Sequence, residues 1–362
     1  MEIGLYAVYA VLLWWASTGV ILYLDGLPRR TFSYSLAGAS LLALAGFVGL
    51  ALSAGHATPA GAVIGFTSAL AIWGWHELTF LTGHITGPRR TPMPEGLAGF
   101  ARFRAAAATV SDHEIGIALT AAALAFVTWG EPNQMALATF LLLWVMRLST
   151  KLNIFLGAPN IADEFLPPHL GYLKSYFRRR PMNGLFPFAI TGATLLTAYL
   201  AHKALGGEAD SFQTASYALL TVLSALAVLE HWLLYLPLPA SALWKWGLAS
   251  HQKTAETEAL HQSAIQLPAS GDAGWSVPLD RPCDPRSLTE LLEAVAGGRY
   301  GEVERVEGAA RLRDGWLRFR MTNGRPFLAQ VSSLDGDPAR VTAFGREFDR
   351  ARLGAAFQAC AA

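Results

Sequence analysis

Three pairs of adjacent histidine and glutamate residues stand inside otherwise apolar stretches of the sequence. The pairs are His76 with Glu77, His113 with Glu114, and Glu230 with His231. An ionised side chain inside a bilayer is costly unless it is paired or hydrated, so such residues are candidates for function. Carboxylate and imidazole groups are also common ligands of transition metals. The sequence therefore offers a candidate polar site within apolar surroundings.

Two basic residues are placed to approach these acids. Arg147 and Lys151 are four residues apart and therefore lie on one face of a helix. In one interpretation they are buried counter-charges for two of the three glutamates, and the histidines form hydrogen bonds between helices. Three glutamates against two cations leave one acid unmatched, which indicates that a positive charge is missing from the set.

Two other interpretations would supply this charge. Iron or manganese ions could be held by carboxylate and imidazole ligands from several helices of a bundle. Against this, adjacent helical residues such as His76 and Glu77 point about 100° apart, and the Glu-x-x-His motif of di-metal bundles is absent from the sequence. Alternatively, a histidine could coordinate the magnesium or iron of a tetrapyrrole, with Trp and Phe rings packed on the macrocycle.

The loop that follows the fifth apolar run could cover such a site. Its candidate residues are Asn160, Glu164 and His169. The loop after the third apolar run adds His84. Long loops with several polar residues often carry function. We interpret the first three as a possible lid and His84 as a possible additional ligand.

A run of three basic residues, Arg178, Arg179 and Arg180, ends the same loop. Basic residues at a membrane surface bind anionic lipid headgroups or the acidic face of a partner protein. Basic loops also set the topology of membrane proteins without binding anything specific. The second interpretation is the simpler one for this run.

The composition indicates which elements position these residues. Hydrophobic residues make up 52% of the 362-residue chain and charged residues 15%, whereas soluble domains carry about 25% charged residues. About 20 helical residues cross the hydrocarbon core of a bilayer. Seven apolar runs have this length: Gly4–Leu24, Ser33–Ser53, Pro59–Gly83, Ser111–Gly130, Asn133–Gly157, Gly184–Ala204 and Phe212–Leu236. The sequence therefore predicts a polytopic all-α membrane bundle of about seven helices.

The distribution of basic residues predicts the orientation of the bundle. The loops after the first, third and fifth runs contain most of the Arg and Lys of this region, and the alternate loops contain almost none. Cytoplasmic loops are enriched in basic residues, so we expect the N-terminus outside and the C-terminus in the cytoplasm. The first run lacks a basic segment before it, so we expect it to remain as a span and not to be cleaved as a signal peptide.

The last part of the chain differs from the first. We predict a helical membrane domain over residues 1–250, ending in a short interfacial helix, then a linker over 251–285 rich in small and polar residues. Residues 286–362 alternate polar and apolar residues between Asp-Gly and Asn-Gly turns, which predicts a small cytoplasmic α+β domain. The two cysteines, Cys283 and Cys360, form no CxxC motif and exclude a disulfide scaffold.

The sequence also excludes several classes of enzyme. It contains no Walker A motif, no Gly-x-Ser-x-Gly elbow, no His-Glu-x-x-His motif and no haem-attachment motif. NTP hydrolysis and serine hydrolysis are therefore not expected, and we expect no nucleic-acid partner. No catalytic residue is assigned.

Several longer motifs resemble those of the PuhE family. They include Trp14-Trp15 with the segment through Phe32, Trp73-Gly-Trp-His-Glu77, Thr86-Gly-Pro-Arg-Arg-Thr-Pro92, Trp144-Val-Met-Arg-Leu-Ser149, Phe177-Arg-Arg-Arg-Pro-Met-Asn183 and Leu229-Glu-His-Trp232. The resemblance covers about residues 4–248. The C-terminal domain departs from the shorter form expected of that family.

This resemblance implies a membrane factor of phototrophic bacteria that assists assembly of the photosynthetic reaction centre and its light-harvesting complex. Bacteriochlorophyll would be the pigment supplied or bound, and the partners would be membrane lipid, subunits of these complexes or pigment-synthesis enzymes. The location implied is the inner, intracytoplasmic membrane. The alternative is a membrane di-metal oxidoreductase that acts on a hydrophobic tetrapyrrole or carotenoid.

Overall fold

The computed structural model divides the chain into two compact units, Met1–Thr254 and Ala255–Ala362. It describes residues 2–161, 163–207, 209–238, 240–251, 274–279, 281–312, 315–322, 324–331 and 339–360. The first unit is helical, and the second contains an antiparallel sheet with two helices. We call them the helical unit and the C-terminal unit.

Among its described residues, the helical unit contains an α-helix at each of the seven predicted positions, a short additional helix, and helical residues 245–251 near its end. The seven helices at predicted positions and the short additional one, α4, are α1 (Glu2–Asp25), α2 (Phe32–Ala54), α3 (Pro59–Leu81), α4 (Gly99–Ala107), α5 (Ser111–Val127), α6 (Met135–Leu156), α7 (Phe186–Leu205) and α8 (Ser211–Leu233). The additional helix, α4, meets α5 at a bend of 66°. The predicted helices formed because each apolar run is bounded by residues that end helices, such as Gly, Pro and Asn.

Four of these helices are long and apolar enough to cross a membrane. They are α1, α2 with its preceding turn (Arg29–Ala54), α6 and α8, and the bent pair of α4 and α5 makes a fifth if it is counted as one span. The polar residues near the C-terminal ends of α3 and α7, such as Glu77 and Lys203, make these two helices less apolar. The structure therefore supports several membrane helices, and the count of seven and the orientation remain predictions.

Helix α3 forms the centre of the helical unit. It packs against α1, α2, α5, α6 and α8, and most of its residues from Gly61 to Leu81 are buried. Thr58 caps its N-terminus by accepting a hydrogen bond from the Gly61 amide, and Pro59 follows at the first helical position. Any side chain on α3 is therefore held in place by helices on several sides.

Two of the three predicted basic loops are hydrogen-bonded to each other at one end of the bundle. The Arg89 guanidinium donates to the Tyr176 hydroxyl at 2.6 Å, and the buried Arg102 donates to the Phe155 and Tyr176 carbonyls at 3.2 and 2.7 Å. At the opposite end, the side-chain amide of Asn133 donates to the Ser53 carbonyl at 3.0 Å. Hydrogen bonds between loops thus close both ends of the bundle.

The segment after α8 packs on α1. A short 3-10 helix, Ala240–Trp244, is followed by helical residues 245–251, and the Trp244 indole donates to the Trp15 carbonyl at 3.0 Å. His251 Nε2 lies 2.6 Å from the buried Asp25 carboxylate. Burial lowers the pKa of His251, but the hydrogen bond and charge of Asp25 outweigh it and raise that pKa above its ordinary value. His251 therefore belongs to a docked helix and not to the predicted linker.

The C-terminal unit is a five-stranded antiparallel sheet in the order β1-β5-β2-β3-β4. Its elements are β1 (Trp275–Pro278), α9 (Pro285–Ala296), β2 (Gly301–Leu312), β3 (Gly315–Thr322), β4 (Arg325–Val331), β5 (Arg340–Phe348) and α10 (Arg350–Ala359). Both helices pack on one face of the sheet around Leu288, Phe319 and Phe357. The α+β prediction is thus observed for this unit.

The structure differs from the prediction for this region at the end of the linker. The linker does not extend to residue 285, because β1 pairs with β5 and Cys283 lies in the core of the unit. Asp284 then caps α9 by accepting a hydrogen bond from the Ser287 amide at 3.0 Å. The greater part of the predicted linker, residues 252–273, lies outside the described residues.

Candidate functional site

A cavity of about 690 Å³, partly open to the outside, lies among the helices of the helical unit. Residues of α1, α3, α5, α6 and α8 line it, together with the segment between α6 and α7. Its walls are mostly apolar, and they include Trp14, Trp73 and Phe80. Five of the predicted charged residues also line it: Glu77, Glu114, Glu230, Arg147 and Lys151. The structure thus brings the predicted acids and both predicted cations to one cavity.

Two ion pairs join α6 to its neighbours within this cavity. Arg147 Nη2 lies 3.0 Å from Glu77 Oε2 on α3, and Lys151 Nζ lies 2.7 Å from Glu114 Oε1 on α5. The Trp144 indole donates a further hydrogen bond of 2.9 Å to Glu114 Oε2. The i, i+4 spacing of Arg147 and Lys151 therefore directs one cation to each of two helices.

Glu230 is the third glutamate of the cavity. Among the described residues, no cation lies within 4.0 Å of its carboxylate, although Arg147 attracts it electrostatically and the Trp14 side chain lies near it. Of the three glutamates that line the cavity, Glu230 is therefore the one without a paired cation among the described residues. This arrangement agrees with the unmatched acid that the sequence predicts.

The two members of the Glu77–Arg147 pair differ in their surroundings. The side chain of Glu77 is only 10% exposed, whereas that of Arg147 is 40% exposed. Arg147 lines the cavity, so part of its surface faces this space. A ligand in the cavity would therefore contact Arg147 more readily than Glu77.

The three predicted histidines do not line the cavity. His76 Nε2 is hydrogen-bonded to the Thr120 hydroxyl at 2.9 Å, and His231 Nε2 to the Ser149 hydroxyl at 2.8 Å. His113 is buried against Phe80, with ring centroids 4.8 Å apart, and neither ring nitrogen has a hydrogen-bond partner among the described residues. Each histidine thus points away from the adjacent glutamate's site, as the angle of about 100° between neighbouring helical residues requires.

Within the described part of the chain, no three His, Cys, Asp or Glu side chains converge on a point where a metal ion could be held. The glutamates that share the cavity are each held by a different helix, and two of them are already paired with cations. The di-metal interpretation therefore remains a prediction to which this geometry adds no ligand set.

The predicted loop candidates mostly support the backbone. The side-chain amide of Asn160 donates to the Leu233 carbonyl at 2.8 Å, near the end of α8. His169 Nε2 is hydrogen-bonded to the Leu81 carbonyl at 2.8 Å, and His84 Nδ1 to the Thr82 hydroxyl at 3.0 Å. The side chain of Glu164 lies outside the described part of the structure. None of the other three lines the cavity.

The predicted basic run also has structural contacts. Arg179 Nη2 lies 3.1 Å from Asp163, which also pairs with Lys174. The Arg178 amide donates to the Ile154 carbonyl at 3.3 Å. Arg180 packs over Gly157, where the backbone φ of 130° and the close side chain both favour glycine. The run therefore holds the loop against the end of α6, and its interaction with lipid remains a prediction.

Sequence reasoning missed Asn183 as a structural centre. Its Nδ2 lies 2.9 Å from the Gly157 carbonyl and 2.8 Å from the Tyr235 hydroxyl, and its Oδ1 accepts from the Leu185 and Phe186 amides. One buried amide thus joins α6, α7 and the end of α8. A polar residue just before an apolar run was the available signal, because residues at helix N-termini commonly accept backbone hydrogen bonds.

Comparison with known proteins identifies relatives of the helical unit. The family described as "Protein of unknown function (DUF3623)" matches residues 1–255. A protein of Rhodobacter capsulatus, named as an uncharacterized 30.4 kDa protein in the puhA 5′ region, is 40% identical over 259 residues, which cover 70% of this chain and 94% of that relative. No solved structure matches the chain. Because the family match spans well over half of its residues, the protein belongs to the DUF3623 family.

Proposed function

We propose that this protein is an integral membrane factor that assists assembly of the photosynthetic reaction centre and its light-harvesting complex. In this proposal the helical unit lies in the inner, intracytoplasmic membrane and holds bacteriochlorophyll or a related tetrapyrrole during assembly. The cavity, which combines apolar walls with an unmatched carboxylate, is the observation that carries the proposal.

The link to photosynthesis comes from the relative in Rhodobacter capsulatus. That protein is named for its place in the puhA 5′ region. We infer a photosynthetic role from this gene neighbourhood, and 40% identity over nearly the whole length of the relative supports a shared role. The relative is itself uncharacterized, so the step from a photosynthetic role to assembly is our inference. Several apolar helices in the same chain are compatible with a membrane location for that role.

The residues around the cavity fit part of a tetrapyrrole. A volume of about 690 Å³ lies within the range of about 300–1,000 Å³ typical of ligand pockets, and Trp14, Trp73 and Phe80 can pack on a flat macrocycle. The excess carboxylate, Glu230, offers an oxygen ligand for a hard cation such as magnesium. When bound, the pigment would supply the light-absorbing group that the photosynthetic complexes need. The histidines predicted as axial ligands do not fit this role, because none of them lines the cavity.

We infer seven spans, with the N-terminus outside and the C-terminal unit in the cytoplasm. The hydrogen bonds between Arg89 or Arg102 and Tyr176 support this topology, because they gather basic loops at one end of the bundle. A fluorescent protein fused after Ala362 should be fluorescent, since such fusions fold only in the cytoplasm. A dark fusion, together with active alkaline phosphatase fused at the same point, would refute the orientation.

The pigment proposal is tested by purifying the protein in mild detergent from a phototrophic host. Its absorption spectrum and elemental content are compared with those of the Glu230→Gln variant and of the matched control Glu131→Gln, which lies in an exposed turn. Tetrapyrrole bands that are lost in Glu230→Gln and kept in Glu131→Gln would support the proposal. Iron or manganese that depends on Glu230 would favour the oxidoreductase instead. A colourless, metal-free wild-type protein would overturn the pigment-binding part.

The role in assembly needs a separate measurement in cells. We expect the Glu77→Ala and Glu230→Ala variants to insert into the membrane at normal levels but to lower accumulation of the pigment–protein complexes. The spectrum of whole membranes measures those complexes, and immunoblotting measures the variant protein. Normal complexes in both variants would contradict a functional role of the cavity.

A further inference from the structure

The sheet of the C-terminal unit has one face that its own helices do not cover. Helices α9 and α10 pack on the face that contains Val306, Phe319 and Val341. Side chains alternate between the two faces of a strand, so the neighbours of these residues point to the opposite face. Cross-strand pairs such as Glu307 with Arg320 confirm which positions share that opposite face, which we call the open face.

Arginine dominates the open face. The six arginines at its positions are Arg305, Arg311, Arg318, Arg320, Arg325 and Arg340. In the regular part of the sheet that the structure describes, Glu307 is the only acidic residue on this face. Four neighbouring strands therefore present a strongly positive surface.

Glu307 pairs with two of the six arginines. Glu307 Oε2 lies 3.4 Å from Arg320 Nη2 and 3.8 Å from Arg305 Nε, and its side chain is only 6% exposed. Glu307 is thus buried beneath two arginines, while Arg311, Arg325 and Arg340 are exposed to solvent. The exposed layer of the face is positive.

Aromatic rings lie between the arginines. The Arg305 guanidinium stacks 4.0 Å above the Phe344 ring. Trp316 and Phe327, both half-buried, occupy positions on β3 and β4 of the same face. Such a mixture of arginine with Trp and Phe is typical of surfaces at the membrane interface, where rings favour the headgroup layer.

We propose that the open face binds the anionic phospholipid surface of a membrane. Arginine forms paired hydrogen bonds with phosphate oxygens, which lysine does not. The helical unit of the same chain contains membrane-spanning candidates, so a bilayer is the anionic surface always within reach of this unit. Each basic residue near such a surface contributes roughly a fivefold gain in binding.

The test uses the full chain in nanodiscs made only of phosphatidylcholine. Vesicles of equal parts phosphatidylglycerol and phosphatidylcholine are added, and co-sedimentation of the nanodiscs with the vesicles is measured. We expect the wild-type protein to bind these vesicles and not vesicles of pure phosphatidylcholine, with binding that weakens as salt is raised. The variant Arg311→Ala/Arg325→Ala/Arg340→Ala should bind roughly a hundredfold less well, because three fivefold contributions are lost.

The matched control is Arg281→Ala/Arg286→Ala/Arg299→Ala. It removes the same number of exposed charges from positions in and beside α9, away from the open face, and it should retain binding within about fivefold of wild type. Circular dichroism of both variants checks that the sheet is intact. An equal loss of vesicle binding in both variants would mean that binding depends only on the net charge of the unit, and it would overturn the proposal. Tighter binding of a single-stranded oligonucleotide than of the vesicles would also overturn it.

Discussion

The Arg147→Met variant should destabilise the helical unit by removing the partner of a buried carboxylate. Glu77 Oε2 is bonded to Arg147 at 3.0 Å, and Glu77 Oε1 has no hydrogen-bond partner among the described residues. In the variant, neither oxygen would have one. Leaving one member of a buried ion pair alone costs about 3–5 kcal/mol. Because 40% of the Arg147 side chain is exposed in the cavity, water screens the pair and we expect the lower end, about 3 kcal/mol.

Thermal unfolding in mild detergent, followed by tryptophan fluorescence, measures this loss. At about 2–4 °C per kcal/mol for a unit of this size, the Tm of Arg147→Met should fall by about 6–12 °C. The double variant Glu77→Leu/Arg147→Met should recover at least half of that loss, because an apolar pair can replace a buried ion pair at little cost. The control Arg30→Met removes an exposed cation and should leave the Tm nearly unchanged.

Two outcomes would refute this reasoning. An unchanged Tm in Arg147→Met would mean that the Glu77 carboxylate does not depend on the guanidinium. A double variant that is as unstable as the sum of its single variants would mean that the two side chains contribute independently, since coupling is what a double-mutant cycle measures.

Three further predictions follow from other contacts. Asn183→Ala should lower the free energy of unfolding by about 3 kcal/mol, because two N–H donors and a doubly accepting carbonyl are lost; a fall in Tm below about 3 °C would contradict this. His251→Gln should lower the Tm at about pH 6 but not at about pH 9. Asp25 raises the pKa of His251 in the folded protein. The stabilisation is therefore present below the ordinary histidine pKa of about 6.5 and is lost as the pH rises through the pKa of folded His251. A constant difference across this range would exclude the ion pair. Burial, and then Cys360, raise the pKa of Cys283 to about 11, so iodoacetamide at about pH 8 should modify it only after the C-terminal unit unfolds; mass spectrometry reports the modification, and rapid labelling of the folded protein would disagree with the buried site.

The sequence predicted the helices well because the signal is physical and local. An apolar run of about 20 residues bounded by helix-ending residues has few alternatives. The break between α4 and α5 was not predicted, because it depends on tertiary hydrogen bonds to the loop after α3. One of them runs from the His113 backbone amide to the Thr86 carbonyl at 2.9 Å. Local pattern alone does not contain that information.

The candidate site was predicted in part for a similar reason. The cations at positions 147 and 151 share a helix face by their spacing, so their approach to the glutamates was readable from the sequence. Which glutamate each cation binds, Glu77 for Arg147 and Glu114 for Lys151, depends on how three helices pack. This choice could not be predicted from the sequence. The histidines were grouped with the glutamates by adjacency in sequence, which in a helix separates side chains by about 100°.

The pairing of Glu114 with Lys151 also has a consequence for the order in which the chain is made. The two residues are 37 positions apart, and at about 5–20 residues per second the ribosome adds Lys151 roughly 2–7 s after Glu114. Until then the start of α5 carries an acid that resists transfer from the translocon into lipid by about 2.5–3.5 kcal/mol if it is deeply placed. In the proposed seven-span topology, helix α5 would therefore wait beside the translocon and enter the membrane together with α6, as one hairpin.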